Sequence, residues 1–283
     1  MSQTEFDKLQ TMPDGSLIQH GLHNNRIYLI KLSGQANREL PQQLIDLAKK
    51  QGYTKIFAKL PEKSAKNFIT KGFNIEASVP NFYNGSDKGL FLAYYLDIAR
   101  SQERHSQEHE KYIELAKHKS NTSFQAIDKN KFVLRECNEK DITNIAKLYR
   151  QVFLSYPFPI FNSEYILKTM RSNVTYFGIE NKGEIIALAS AEKDESASNV
   201  EMTDFATLPE WRGQGLGANL LKYMETEMKK QTLQTAYTIA RSASPGMNIT
   251  FAKLGYTFAG RLKNNTNISG TIESMNVWYK ALL

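Results

Sequence analysis

Cysteine is nearly absent from this chain. Its 283 residues include one, Cys137, so no disulfide can form within the chain, and no Cys/His cluster has metal-ligand spacing. No metal is therefore expected. Long apolar runs are missing too. No stretch approaches the ~20 apolar residues that span a bilayer, and Met1 to Gln19 lacks the apolar core of a secretory signal. Charge of one sign is nowhere concentrated. The net charge is +7, from 36 Lys and Arg against 29 Asp and Glu, yet no basic block, zinc-finger or basic-zipper pattern appears. The excess reads as a solvated surface or a local anion site, with no nucleic-acid partner. Together these absences predict a reduced, soluble, cytoplasmic protein with no membrane partner. The sequence leaves the oligomeric state, including a homodimer, open.

A hydrophobic fraction of 41% is enough for a substantial core. The chain divides at Ser101 to Asn130, a stretch dense in Gln, Glu, His, Lys and Ser with a short apolar stripe, read as a charged helical linker. Residues 131–283 alternate between strand and helix patterns. Phe132 to Arg135 predicts a strand. Asp141 to Phe153 and Ser163 to Arg171 predict helices. Thr175 to Glu180 and Glu184 to Glu192 predict a hairpin around Asn181-Lys182-Gly183. Then follow a strand at Val200 to Leu208, a helix at Gly215 to Lys230, a strand at Ala236 to Arg241 and a short helix at Gly246 to Leu254. Tyr256 to Leu262 and Ser274 to Lys280 close a mixed α/β sheet. Residues 1–100 hold a shorter version of this order, starting at Arg26. Phe68-Ile69-Thr70-Lys71-Gly72-Phe73 parallels Phe251-Ala252-Lys253-Leu254-Gly255-Tyr256. An internal duplication is one reading, and a shared helix stop in two unrelated α/β halves is the other.

The densest glycine cluster is Arg212-Gly213-Gln214-Gly215-Leu216-Gly217. It follows an apolar strand and opens an amphipathic helix. Successive backbone N–H groups in such a turn converge on one point at the positive end of the helix dipole. Glycine permits close approach of a ligand, and Arg212 adds charge. The cluster suits a pyrophosphate. It lacks the Gly-Lys-Ser/Thr ending of a Walker loop, and its glycine spacing differs from a dinucleotide-binding fingerprint.

The pattern Arg-x-x-Gly-x-Gly after a strand resembles the acetyl-CoA-binding motif of the GNAT acetyltransferase superfamily over Phe132 to Leu283, and Phe251 to Tyr256 looks like that family's next motif. The likeness extends further. Gly52-Tyr53-Thr54-Lys55-Ile56-Phe57-Ala58-Lys59, Met202 to Thr207, Gly246 to Lys253, Asn264 to Gly270 and Glu273 to Lys280 are similar to β-lysine N-acetyltransferases. That resemblance implies a degenerate acetyltransferase-like half followed by an active GNAT-like fold. It also implies acetyl-CoA as co-substrate and a small-molecule amine, β-lysine, as acceptor, giving the osmolyte N-acetyl-β-lysine. Another amine, or a non-catalytic CoA-binding module, stays open as an alternative.

Such chemistry needs a proton acceptor, because an alkyl amine of pKa about 10.4 costs roughly 4–5 kcal/mol to deprotonate at pH 7. Glu201 and Asp204 lie on the strand before the glycine turn. Their odd spacing turns them to opposite faces unless a bulge intervenes. Asp204 is expected to meet the substrate ammonium, with Glu201 as a second candidate base. A backbone N–H near Phe205 or Ala206 is expected to stabilise the thioester oxygen. Phe205, Ala206 and Thr207, the turn from Arg212 to Gly217 with Gln214 and Leu216, Asn248 and Phe251 form the expected cofactor surface. Phe251 stands where many GNAT enzymes carry a tyrosine acid, so Tyr256 or Tyr237 is needed as a replacement. Asn264 to Asn267 reads as a polar loop, from which Asn265 and Asn267, with Glu273, are expected to touch the amino-acid head of the substrate.

Overall fold

A computed structural model describes residues 6–34, 38–120 and 123–282. The first half runs β1 (Lys8–Thr11), β2 (Leu17–Gly21), β3 (Arg26–Lys31), α1 (Leu40–Gln51), β4 (Lys55–Pro61), α2 (Lys66–Thr70), β5 (Asn74–Tyr83) and β6 (Asp87–Tyr95). A connecting helix, α3 (Ser106–Lys119), follows. The second half runs β7 (Val133–Glu136), α4 (Ile142–Val152), α5 (Ser163–Met170), β8 (Val174–Asn181), β9 (Glu184–Asp194), β10 (Asn199–Thr207), α6 (Leu216–Lys230), β11 (Thr235–Arg241), α7 (Pro245–Lys253), β12 (Thr257–Ile268) and β13 (Thr271–Ala281). All strands join one mixed sheet, in the order β1-β2-β3-β4-β6-β5-β12-β13-β11-β10-β9-β8-β7.

This order repeats within itself. β3 runs parallel to β4 and antiparallel to β2, as β10 runs parallel to β11 and antiparallel to β9. β6 then sits between β4 and β5, as β13 sits between β11 and β12. The two sets meet through the corresponding strands β5 and β12, where Ala77 pairs with Gly260. A side chain on Gly260 would stand 2.2 Å from the Glu76 carbonyl oxygen, so only glycine allows the sheet to continue there.

Strand alternation gives the first half two unlike faces. Ile18, Ile27, Leu29, Ile56, Ala58, Leu60, Leu90 and Leu92 form one core with Leu40, Leu44, Ile45 and Ala48 of α1. The opposite face carries Tyr28, Phe57 and Phe91, which belong to the core of the second half. In the second half, α6 buries Leu216, Leu220, Leu221, Met224 and Met228, a helical stripe in which each side chain contributes roughly 1.5–3 kcal/mol. Lys229 and Lys230 end it, favourably placed for its dipole.

Several boundaries depart from the sequence expectation. The cap of α5 is Asn162, not Ser163; its Oδ1 accepts from the Glu164 and Tyr165 amides. Before α4, Asn138 caps a short 3-10 turn, and Asp141 returns a bond to the Asn138 amide. Glu62 to Ser64 form a 3-10 turn that leads into the five-residue α2. β1 and β2 lie in a stretch read only as polar. The expected Asn264 to Asn267 loop is β12 strand, and the hairpin turns instead at Ser269-Gly270, both with positive φ. The linker is more than a spacer: α3 buries His109, Ile113 and Ala116 and packs on α7.

Candidate active site

β10 and β11 part company. Their parallel pairing ends at Glu201 and Tyr237, although the strands continue to Thr207 and Arg241. β11 stays paired with β13 as far as Arg241, so β10 is the strand that swings away. A register shift against β9 between Thr203 and Ala206 marks the bend, with Asp204 at φ +56°. Beyond Glu201 the β11-facing backbone groups of β10 have no strand partner. An opening inside a sheet, lined by unpaired amides and carbonyls, can receive an extended ligand that carries its own amides.

The glycine turn stands beside this opening. Arg212, Gly213, Gln214 and Gly215 are exposed, while Leu216 turns into the core and serves packing. Gly215, at φ +72°, occupies the cap position of α6, and no side chain caps the helix there. A Cβ on Gly213 would meet nothing within 4 Å, and one on Gly217 would meet only the Met247 sulfur at 3.9 Å. Nothing inside the protein therefore crowds these positions, and the space in front of the free amides is open to an anion. The Arg212 Nε donates to the Thr207 carbonyl at 3.2 Å and ties the turn to the end of β10. Asn219, which the sequence reading passed over, braces the same turn. Its side chain donates to the Gly215 and Gln125 carbonyls and accepts from the Ile127 amide.

The bulge puts both expected carboxylates on one face. Glu201 is register-paired with Glu192 on β9, and Asp204 reaches Ser190 two residues along, where its Oδ2 accepts from the serine hydroxyl. Asp204 Oδ1 accepts from the Tyr156 hydroxyl. Burial raises the Asp204 pKa, and the Ser190, Tyr156 and Thr203 hydroxyls oppose that rise. Glu201 is pushed up to about 7 by burial; the Lys59 ammonium and the neighbouring Tyr237 pull it down while Glu192 and Asp204 push it further up. Lys59 comes from β4 of the first half, and its Nζ donates to the Tyr237 hydroxyl at 2.7 Å. A half-buried carboxylate poised near neutrality beside an opening in the sheet can accept a proton from an amine.

Residues 141–256 match the acetyltransferase (GNAT) family. The chain is 41% identical to the β-lysine N(6)-acetyltransferase of Methanococcus maripaludis, covering 94% of this chain and 96% of that one. It belongs to the GNAT acetyltransferases. The β-lysine N(6)-acetyltransferase of Methanosarcina mazei is 32% identical over 86% of this chain and 97% of its own length. The N-acetyltransferase YodP of Bacillus subtilis is 29% identical over 94% and 96%. Among solved structures, the ribosomal-protein-S18-alanine N-acetyltransferase of Escherichia coli is 15% identical at a TM-score of 0.47, covering 53% of this chain and 94% of that one.

The remaining expected site residues of this acetyltransferase divide into two groups. Phe205 is half-buried on β10 and meets the Phe251 ring edge-on at 5.6 Å; Ala206 is buried beside it. Asn248, expected on the cofactor, is fully occupied inside the fold. Its Nδ2 donates to the Arg241 and Ser244 carbonyls, and its Oδ1 accepts from Asn276 and the Trp278 indole. It ties α7 to β11 and β13. Tyr256, expected as an acid, is 4% exposed and lies against Phe251 and under the Lys280 ammonium, with Glu225 beside it. That position is core. Of the two expected tyrosines, Tyr237 is the one the structure brings to Glu201, while Tyr156 reaches Asp204. Glu273 is held by Arg241 at 2.6 and 2.9 Å. Cys137 is buried, and burial pushes its thiol up to about 12, so it stays protonated.

Asn265 and Asn267 sit where β12 bulges: Leu262 pairs with Met275 and Thr266 with Glu273, leaving extra residues on β12. The first half grips this bulge through three consecutive carbonyls. Lys55 donates to that of Lys263 at 2.7 Å, Arg100 to that of Asn264 at 2.6 Å, and Arg26 to that of Asn265. Asn267 is fixed by Asn24 and the His23 carbonyl. Sequence reasoning missed Lys59, Tyr156 and Ser190. The signal available for Lys59 was a lone cation inside the apolar run Ile56 to Leu60. Among the described residues no group of His, Cys, Asp and Glu could hold a metal ion, and no helix is long and apolar enough to cross a membrane.

Proposed function

We propose that this acetyltransferase moves the acetyl group of acetyl-CoA to the terminal amine of β-lysine. The observation that carries this reading is the opening between β10 and β11, with the free α6 turn at one side and Glu201 at its base. The 41% identity to a β-lysine N(6)-acetyltransferase over nearly the whole chain supports the choice of amine.

Acetyl-CoA supplies an activated acyl group, with its pyrophosphate on the 213–217 amides and its pantetheine amides along the unpaired part of β10. The protein does the rest. Asp204, fixed by Ser190 and Tyr156, attracts the incoming ammonium. Glu201 takes one proton from that ammonium, which frees the nitrogen lone pair to form its bond to the acyl carbon. A backbone N–H at Phe205 or Ala206, on the edge of β10 that β11 leaves unpaired, receives the carbonyl oxygen as it gains negative charge. As the C–S bond breaks, Tyr237 gives a proton to the departing thiolate and is reprotonated by the surplus proton of the acylated nitrogen. Acetylation removes one positive charge and leaves β-lysine a neutral zwitterion, the charge state suited to an osmolyte in a reduced cytoplasm.

We also propose that residues 131–283 carry the chemistry, that residues 1–100 are a degenerate copy of the same unit, and that 101–130 connects them. The repeated strand order supports this division. Mixing the protein with acetyl-CoA and a panel of amines tests the function. Thiol release with β-lysine above lysine, polyamines and peptide termini is expected. Preference for another amine would reassign the substrate, and CoA binding without turnover on any amine would overturn the catalytic reading.

A further inference from the structure

We propose that the first half reads the head of the substrate, a paired ammonium and carboxylate, through Gln19 and Arg26 acting with Asn265 of the second half. This deepens the amino-acid reading above and rests on it.

The strand register brings these groups together. Gln19 on β2 is paired with Tyr28 on β3, and Arg26 precedes Tyr28 by two residues, so the three side chains share one face. That face turns toward the second half. Tyr28 stands among Lys59, Glu201 and Glu192, and the Arg26 guanidinium lies 5.4 Å from the Tyr28 ring centre. The patch thus begins at the candidate base and extends away from it along the first half's sheet, as an aliphatic chain would.

The patch also carries unanswered polar atoms. Gln19 is 3% exposed; its amide nitrogen makes one contact, 3.4 Å to the Pro157 carbonyl, and its Oε1 has no partner. Arg26 is 3% exposed. One terminal nitrogen holds the Asn265 carbonyl and the Thr266 hydroxyl, while its Nε has no partner. Asn265 is 1% exposed, and its Oδ1 is unanswered. Buried polar atoms without partners are costly, and a fold retains several in one place where a ligand completes them. Their chemistry sorts the ligand. The carboxamide oxygens only accept, so they suit an ammonium, and the guanidinium Nε only donates, so it suits a carboxylate. A polyamine leaves Arg26 without its anion, and a simple ω-amino acid leaves the carboxamides without their cation.

Two substrate fragments make this testable in the full-length protein. 6-Aminohexanoate is β-lysine without the inner ammonium, and putrescine is β-lysine without the carboxymethyl arm. Gln19→Leu should raise KM for β-lysine roughly ten- to a hundredfold and leave KM for 6-aminohexanoate unchanged. Arg26→Met should raise KM for β-lysine similarly and leave KM for putrescine unchanged. Acetyl-CoA affinity should stay at the wild-type value in both. Equal changes for all three amines, or none, overturn the proposal. Should Arg26→Met also lose acetyl-CoA affinity through the β12 bulge, Gln19→Leu decides alone. Failure of the wild type to acetylate β-lysine would instead break the substrate reading. The head-group site is then judged on the amine that is acetylated: a partner bearing both groups upholds it, and turnover confined to amines without a carboxylate overturns it.

Discussion

The two halves share a strand order but use the face between them differently. In the second half that face is acidic, with Glu192, Glu201 and Asp204. In the first half the equivalent surface is cationic and aromatic, with Arg26, Lys55, Lys59, Tyr28 and Phe57. The second half leaves β10 partly unpaired against β11 and opens α6 with glycines. The first half pairs β3 with β4 from Arg26 to Leu29, and its α1 begins at Leu40-Pro41 with no glycine cluster before it. One unit keeps an opening; the other closes its own and turns its charges outward, onto its neighbour. A repeated architecture can therefore divide the work between anion binding and shaping an acceptor pocket.

The sharpest way to break this contrast is Gly215→Glu. The left-handed φ and a carboxylate facing the incoming pyrophosphate should together lower acetyl-CoA affinity more than a hundredfold, while the protein stays folded because no atom lies closer than 3.9 Å to the new Cβ. Titration calorimetry reads it directly. Retained affinity would mean that the nucleotide sits elsewhere. Next in size is Glu201→Gln, expected to lower kcat by about 10²–10⁴ with unchanged acetyl-CoA affinity; near-normal turnover would move the base to another group.

Asn248→Ala asks whether that residue belongs to the fold or to the cofactor. Four internal bonds are lost, two of them buried, so a loss of about 2–4 kcal/mol of stability is expected, read as a lower denaturation midpoint. Acetyl-CoA affinity of the folded fraction should be preserved, and a specific affinity loss would restore the cofactor role. The smallest effect tests what the first half lends to the second. In the wild type, activity should fall as pH drops through about 7, because Glu201 must be unprotonated to accept a proton. Lys59 favours the charged carboxylate, so Lys59→Met should raise the Glu201 pKa and move this acidic limb upward by about one unit. A limb that stays in place would show that the first half does not tune the base.

Where local pattern decides structure, the sequence was sufficient. The α6 stripe, the hairpin around Lys182-Gly183 and the glycine turn were legible because each depends on neighbours a few residues away. β12 was not. Asn264 to Asn267 looks like a loop because polar residues rarely lie buried in a strand, and these do so only because Arg26, Arg100 and Asn24 answer their backbone from the other half. β1 and β2 were hidden for another reason: they pair locally, with each other and with β3, but β1 is a short, mostly exposed edge and β2 buries the polar Gln19 and His20, so neither shows an apolar alternation. Glu201 and Asp204 were legible as two carboxylates on one strand, but whether they share a face hung on a bulge that alternation cannot show, and the bend at Asp204 supplies it. Lys59 was invisible as a site residue because its role begins only when the halves close on each other.

The seam at Ala77 and Gly260 has a mechanical consequence. The bare backbone of Gly260 meets Ala77 there, and three cations rivet the adjoining bulge. A joint built in this way is a weld and not a hinge. The faces that the two halves turn to each other are therefore set by the fold before any acceptor arrives.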